Sequence, residues 1–160
     1  MPAHNGMAFV VILHLSPDHE SHLAEILQRH TSMPVIQVTQ PVALEADHVY
    51  VVPPNNELVM NDGHIRVSPP QKVAGARTAI DLFFRTLADV HRERAFGIVL
   101  SGMGSDGALG LTRLKERGGV TMAQLPQEAE YDSMPKAAIA TGMADIVRPV
   151  AEMPQCLLDL

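Results

Sequence analysis

Phe96-Gly97-Ile98-Val99-Leu100-Ser101-Gly102-Met103-Gly104-Ser105-Asp106-Gly107-Ala108-Leu109 passes from an apolar run, through a glycine-rich turn, into a helical pattern. The run is short and apolar, which predicts a buried parallel strand. Beyond the turn, Leu109, Leu111 and Leu114 recur at helical spacing, and Gly118-Gly119 ends the helix. A strand that turns directly into a helix is half of a βαβ unit, so the fold is expected to be α/β.

The same alternation continues on either side. Upstream, Ala8 to Leu13 predicts a strand ending at His14, and Ser16-Pro17-Asp18 starts a helix that closes near Thr31. Pro34 to Val38 and His48 to Val52 predict further strands. Glu57 to Met60 and His64 to Val67 flank Asn61-Asp62-Gly63, a hairpin signal. Ser68 to Ala76 reads as a loop. Ile80, Phe83, Phe84, Leu87 and Val90 mark an amphipathic helix. Downstream, Val120 to Ala123 predicts a strand, Pro135 to Thr141 a helix, Asp145 to Arg148 a strand and Met153 to Leu160 a terminal helix. The expected architecture is a three-layer α/β fold. A mostly parallel sheet is flanked by helices, with an added antiparallel hairpin at about 57–67. No internal repeat or low-complexity linker interrupts it, and 160 residues suggest a single domain over 1–160.

Composition narrows the partners. The net charge is −6, from 18 acidic and 12 basic residues, with no basic block, which argues against nucleic acid. A single cysteine, Cys156, cannot form an internal disulfide, and no apolar run approaches the ~20 residues of a membrane span. A cytoplasmic location is the expectation. Cys156 reads as a small packed residue.

In open parallel sheets, sites lie beyond the carboxyl ends of the strands. His14 and the Gly102–Gly107 turn occupy such ends. A histidine there is commonly structural, yet imidazole suits a general base near neutral pH. An aspartate that fixes its tautomer would supply two thirds of a hydrolytic triad, and Asp106 is the best candidate. Gly102-x-Gly104-x-x-Gly107 also fits a dinucleotide fingerprint. Two features oppose that reading. Asp106 would repel phosphates, and the next strand ends at Gln124, not at an acidic residue that would hold a ribose. A third account makes the loop a tight turn with Asp106 stabilised at the start of its own helix. His19 and His22 stand i, i+3 with Asp18 nearby, but no third ligand is evident. A solvated helix face is the expectation, with no metal and no cofactor.

These stretches resemble the CheB-type protein-glutamate methylesterase catalytic domain. Phe9 through His14 to His19 is similar to the family passage that carries the catalytic histidine. Val99 through Asp106 to Ala108 is similar to its aspartate loop, and Tyr131-Asp132-Ser133-Met134-Pro135 through Ile139 to a third motif. Val49 to Pro54 and Ala79 to Phe84 also fit. The resemblance runs from about residue 7 to about residue 154. His14-Leu15-Ser16-Pro17-Asp18-His19 is especially like versions fused to methyltransferase and sensor domains in hybrid signalling proteins. The resemblance implies hydrolysis of a methylated glutamate on a chemotaxis receptor, with release of methanol, and deamidation of receptor glutamines in many members. It implies His14 as general base, Asp106 as its orienting partner and the Met103 N–H as an oxyanion donor. It implies response-regulator or methyltransferase domains in the same protein, within a phosphorelay.

The family nucleophile is a serine in Gly-x-Ser-x-Gly-Gly, and no Gly-x-Ser-x-Gly occurs in these 160 residues. Ser16, Ser101 and Ser105 lie near the triad remnants in sequence, but none sits on such a turn. The expectation is a methylesterase domain without its first strand and nucleophile turn, inactive by itself. The alternative is a non-catalytic interaction module of the same fold. In either case a truncated sheet edge offers a route to self-association.

Overall fold

The computed structural model describes residues 1–14, 22–70 and 78–160. The helix start at Ser16-Pro17-Asp18, His19 and most of the expected 68–76 loop lie outside the described residues. The chain divides into two compact units, Met1–Ala79 and Ile80–Leu160.

In the first unit, β1 (Ala8–Val11) and β2 (Val35–Gln37) flank β4 (His48–Val51), all parallel. Parallel neighbours need a crossover, and α1 (Leu23–Gln28) lies between β1 and β2 in the chain. Leu23 and Leu27, one helical turn apart, pack with Phe9, Val11 and Val35 against buried Met33, Val49 and Val51. The hairpin is present as β5 (Glu57–Asn61) and β6 (His64–Ser68), closed by Asp62 and Gly63 at positive φ. A two-residue strand, β3 (Val42–Ala43), joins it on the far side of β6. It is too short to leave a periodic signal.

Tyr50 lies in the centre of β4, with no solvent exposure. Its hydroxyl accepts the Glu45 N–H at 2.8 Å and donates to the Ala43 carbonyl at 3.2 Å. Burial pushes the phenol above its ordinary range, so it stays protonated and keeps both bonds. Tyr50→Phe deprives a backbone donor and acceptor of a shared partner. An unfolding titration in urea is expected to register a loss of about 1–3 kcal/mol.

The second unit is a βαβαβ succession. After α2 (Ala79–His91) come β7 (Phe96–Val99), α3 (Ala108–Glu116), β8 (Val120–Gln124), α4 (Ser133–Ala140), β9 (Ile146–Arg148) and α5 (Met153–Asp159). The strands are parallel in the order β7-β8-β9. Central β8 is apolar over most of its length and buried from Thr121 to Gln124, as a strand covered on both faces must be. Leu111 and Leu114 of α3, fully buried, complete this core with Val99, Met122, Ala123 and Ala138. The parallel strands thus come as two three-stranded sheets, one in each unit.

Candidate active site

Gly107 begins α3 with φ of 99°, a left-handed conformation that glycine accepts without strain. A Cβ there would stand 3.1 Å from Ile80 and 3.2 Å from Val99. The turn therefore bends sharply against α2, and the bend sends Asp106 away from its own helix. Asp106 is 5% exposed, and its two oxygens accept the N–H groups of Ile80 (3.0 Å) and Asp81 (2.8 Å) in the first turn of α2. Gly107, not Asp106, is the α3 N-cap, and the Asp106 carboxylate caps the neighbouring helix, which tells against the account that stabilises it on its own helix.

The start of α3 is capped by Asp81 instead. One Asp81 oxygen accepts both Gly107 N–H (3.0 Å) and Gly110 N–H (2.8 Å). Each helix thus receives its cap from the other, and each cap is a charge-assisted bond at a helix N-terminus. Burial raises the Asp81 carboxyl above its ordinary 3.8, neighbouring Asp106 adds to the rise, and the Gly110 and Gly107 N–H bonds oppose it. The sign follows from proton uptake. A raised folded value favours the native state below 3.8, and that contribution is lost as pH rises through the folded value.

The helices approach closely at Gly110. An added Cβ would lie 2.6 Å from the Phe84 Cβ and 3.0 Å from the Asp81 backbone. Alanine gains about 1 kcal/mol of helix propensity over glycine. Here the opposing atoms are backbone and Cβ, which cannot swing aside. Gly110→Ala must push α3 from α2 and stretch the Asp81 cap, so overpacking wins. A net loss of about 1–3 kcal/mol is expected, read as a lower urea midpoint with an unchanged slope.

The other end of the turn is held from α4 and β8. Gly102 N–H donates to Tyr131 carbonyl (2.9 Å), Met134 N–H donates to Gly102 carbonyl (3.0 Å), and Tyr131 N–H donates to the Ser101 hydroxyl (3.0 Å). Buried Gln124, the last residue of β8, accepts Ser101 N–H at 2.8 Å and donates to Glu128 at 3.0 Å. Between these anchors Met103 is 72% exposed, and its N–H is engaged by no hydrogen bond among the described residues.

His14 follows β1 in the first unit, half-buried, with its Nε2 shielded from solvent. Ser101 serves the turn as a hydrogen-bond acceptor, Ser105 is exposed, and Ser16 lies outside the described residues. His22 is paired with Glu25 at 3.4 Å on an exposed face. No group of three or more potential metal ligands occurs among the described residues. Sequence reasoning missed Asp81 and Gln124. The Ala79-Ile80-Asp81 stretch carried a signal, an aspartate in a first helical turn, but a cap lent to a different helix has no sequence spacing.

The α3 N-terminus bears on the dinucleotide reading. Its N–H groups at Gly107 and Gly110 are already occupied by a carboxylate. A pyrophosphate would have to displace Asp81, which is a stronger obstacle than the repulsion by Asp106 expected from sequence.

Comparison with known proteins converges on one family. A family model described as CheB methylesterase matches residues 1–157. A protein-glutamate methylesterase/protein-glutamine glutaminase of Vibrio vulnificus is 34% identical over 94% of this chain and 45% of that protein. A putative protein of the same description from Leptospira interrogans is 29% identical over 100% of this chain and 83% of its own length. An uncharacterized 104.1 kDa protein of Rhodobacter capsulatus is 41% identical over 77% of this chain, which spans 13% of it. The chain thus spans less than half of the Vibrio and Rhodobacter proteins. The crystal structure of the Thermotoga maritima CheB methylesterase catalytic domain superposes with a TM-score of 0.91, at 25% identity, over 99% of this chain and 86% of that one. With the family model matched over nearly its whole length and the same fold in the Thermotoga domain, this chain belongs to the CheB methylesterase family.

Proposed function

We propose that this chain supplies the general base, its orienting carboxylate and an oxyanion donor for hydrolysis of a γ-glutamyl methyl ester on a chemotaxis receptor. The observation that carries the reading is the Asp106 carboxylate, buried and fixed by two backbone N–H groups, in the turn where the Met103 N–H is engaged by no hydrogen bond among the described residues. In the proposed reaction His14 takes the proton of a serine hydroxyl as its oxygen attacks the ester carbonyl. Met103 N–H holds the oxyanion, and one such donor is worth about 2.7–4 kcal/mol. The imidazolium of His14 then gives its proton to the departing methoxy oxygen as the C–O bond breaks, releasing methanol, and water, deprotonated by His14, attacks the acyl-serine to release the acid and restore the serine hydroxyl. Asp106 holds the imidazole tautomer throughout. A carboxamide fits the same steps with ammonia as leaving group, in line with the glutaminase activity named for relatives.

The serine is expected from outside these 160 residues, because they contain no Gly-x-Ser-x-Gly. The test compares methanol release from methylated receptor by the 160-residue chain and by a longer polypeptide bearing that turn. Turnover only in the longer form supports the proposal. Absence of turnover in both removes it.

The missing nucleophile motif also supports a second reading, a non-catalytic module that binds receptor or a second copy. Self-association in light scattering at tens of micromolar, or receptor binding without turnover, would favour it; a monomer that turns over ester would not. Fusion to response-regulator or methyltransferase domains is in keeping with the 104.1 kDa relative. A cytoplasmic place is compatible with the described residues, where no helix is long and apolar enough to cross a membrane.

A further inference from the structure

We propose that Asp81 is the positioning residue of Asp106: by anchoring the start of α3, it fixes the turn that presents the Asp106 carboxylate. The inference rests on the esterase reading only for its catalytic consequence; the positioning itself is a statement about the two caps.

The geometry is reciprocal. Asp106 stands one residue before the α3 N-cap, so its backbone goes where α3 goes. The α3 N-terminus is tied to α2 through one Asp81 oxygen, which takes both Gly107 N–H and Gly110 N–H. Asp106 in turn binds the N–H of Asp81 itself and of Ile80. The result is a closed ring of four hydrogen bonds between two helix starts, with both carboxylates within it. Gly107, the N-cap, and Gly110 have no side chain of their own with which to cap α3. A triad carboxylate must hold its imidazole within a few tenths of an ångström and a narrow angle. A ring of this kind supplies that rigidity. It also sets a second negative group beside Asp106, so Asp81 acts on it through charge as well as place.

Asparagine and alanine at this position separate the two effects. Asp81→Asn retains the single oxygen that accepts both bonds and loses the charge; Asp81→Ala loses both. Amide hydrogen exchange at Ile80 and at residue 81 reports the Asp106 bonds without reference to activity. Exchange there is expected to be unchanged in Asp81→Asn and at least about tenfold faster in Asp81→Ala. Faster exchange at Gly107 and Gly110 alone, with Ile80 as slow as in the wild type, would overturn the proposal.

Should Asp81→Ala not remain folded, Asp81→Ser takes its place, since the shorter side chain cannot keep both bonds to Gly107 and Gly110. Ile80 exchange is again expected to quicken. Ile80 exchange as slow as in the wild type, with Gly107 and Gly110 quickened, would then overturn the proposal. Wild-type hydrolysis that is absent or independent of His14 would remove the esterase reading. The Ile80 readouts would still decide where Asp106 is held.

Discussion

His14→Ala in a polypeptide that carries the serine turn is expected to lower methyl ester hydrolysis by about a millionfold, the scale seen when subtilisin loses its triad histidine. The magnitude follows from the unit behaviour of a triad. Without a base the serine hydroxyl stays protonated, and without an acid methanol leaves as methoxide. Oxyanion and binding contributions survive, so the remaining rate still exceeds that in water by about 10³–10⁴. Folding should be nearly intact, because His14 follows β1 and is only half-buried. Circular dichroism and urea midpoints check that point, and methanol release from methylated receptor checks the rate. Added imidazole should restore part of the rate, since the truncated side chain leaves room for a diffusible base. A variant that retains wild-type hydrolysis would dispose of His14 as the base. Equal receptor binding by both proteins, with no turnover in either, would favour the interaction module.

Most of the fold was legible because burial imprints period on sequence. The β8 run Val120-Thr121-Met122-Ala123 and the α2 face at Ile80, Phe83 and Phe84 owe their pattern to the core they enter, and each element appears within a residue or two of its expected place. Asn61-Asp62-Gly63 announced its hairpin because few residues accept positive φ. β3 was not legible: two residues paired to β6 carry no period. The site was legible in part. The glycines around Asp106 drew attention to the turn, since tight geometry restricts residue choice there. The direction of the carboxylate was not, because local reasoning assigns a cap to the nearest helix start. Asp106 and Asp81 each cap the helix that is far away in sequence. That exchange is a tertiary choice, made by the close approach of α2 and α3 at Gly110.

Asp106→Asn is the substitution on which these features meet. In a serine protease the equivalent change leaves geometry intact and costs about 10⁴ in rate, because an amide stabilises the wrong imidazole tautomer. A loss of similar size is expected in hydrolysis by the serine-bearing protein. Here the change should also cost stability. Both carboxylate oxygens accept a backbone N–H, from Ile80 and from Asp81. An amide has one oxygen, so its NH₂ group must face one of these donors, leaving a buried N–H unpaired in a residue that is 5% exposed. That costs about 1–3 kcal/mol. Relief of repulsion with Asp81, whose carboxyl the neighbouring Asp106 helps to raise, works the other way. Asp106→Asn should therefore unfold at a lower urea concentration than Asp81→Asn, whose two acceptor bonds survive. Nucleotide affinity should not rise in Asp106→Asn, because Asp81 continues to fill the start of α3; calorimetry with a dinucleotide checks this. Hydrolysis reduced by less than about tenfold, in a variant as stable as the wild type, would deny Asp106 the orienting role and leave it as a helix cap.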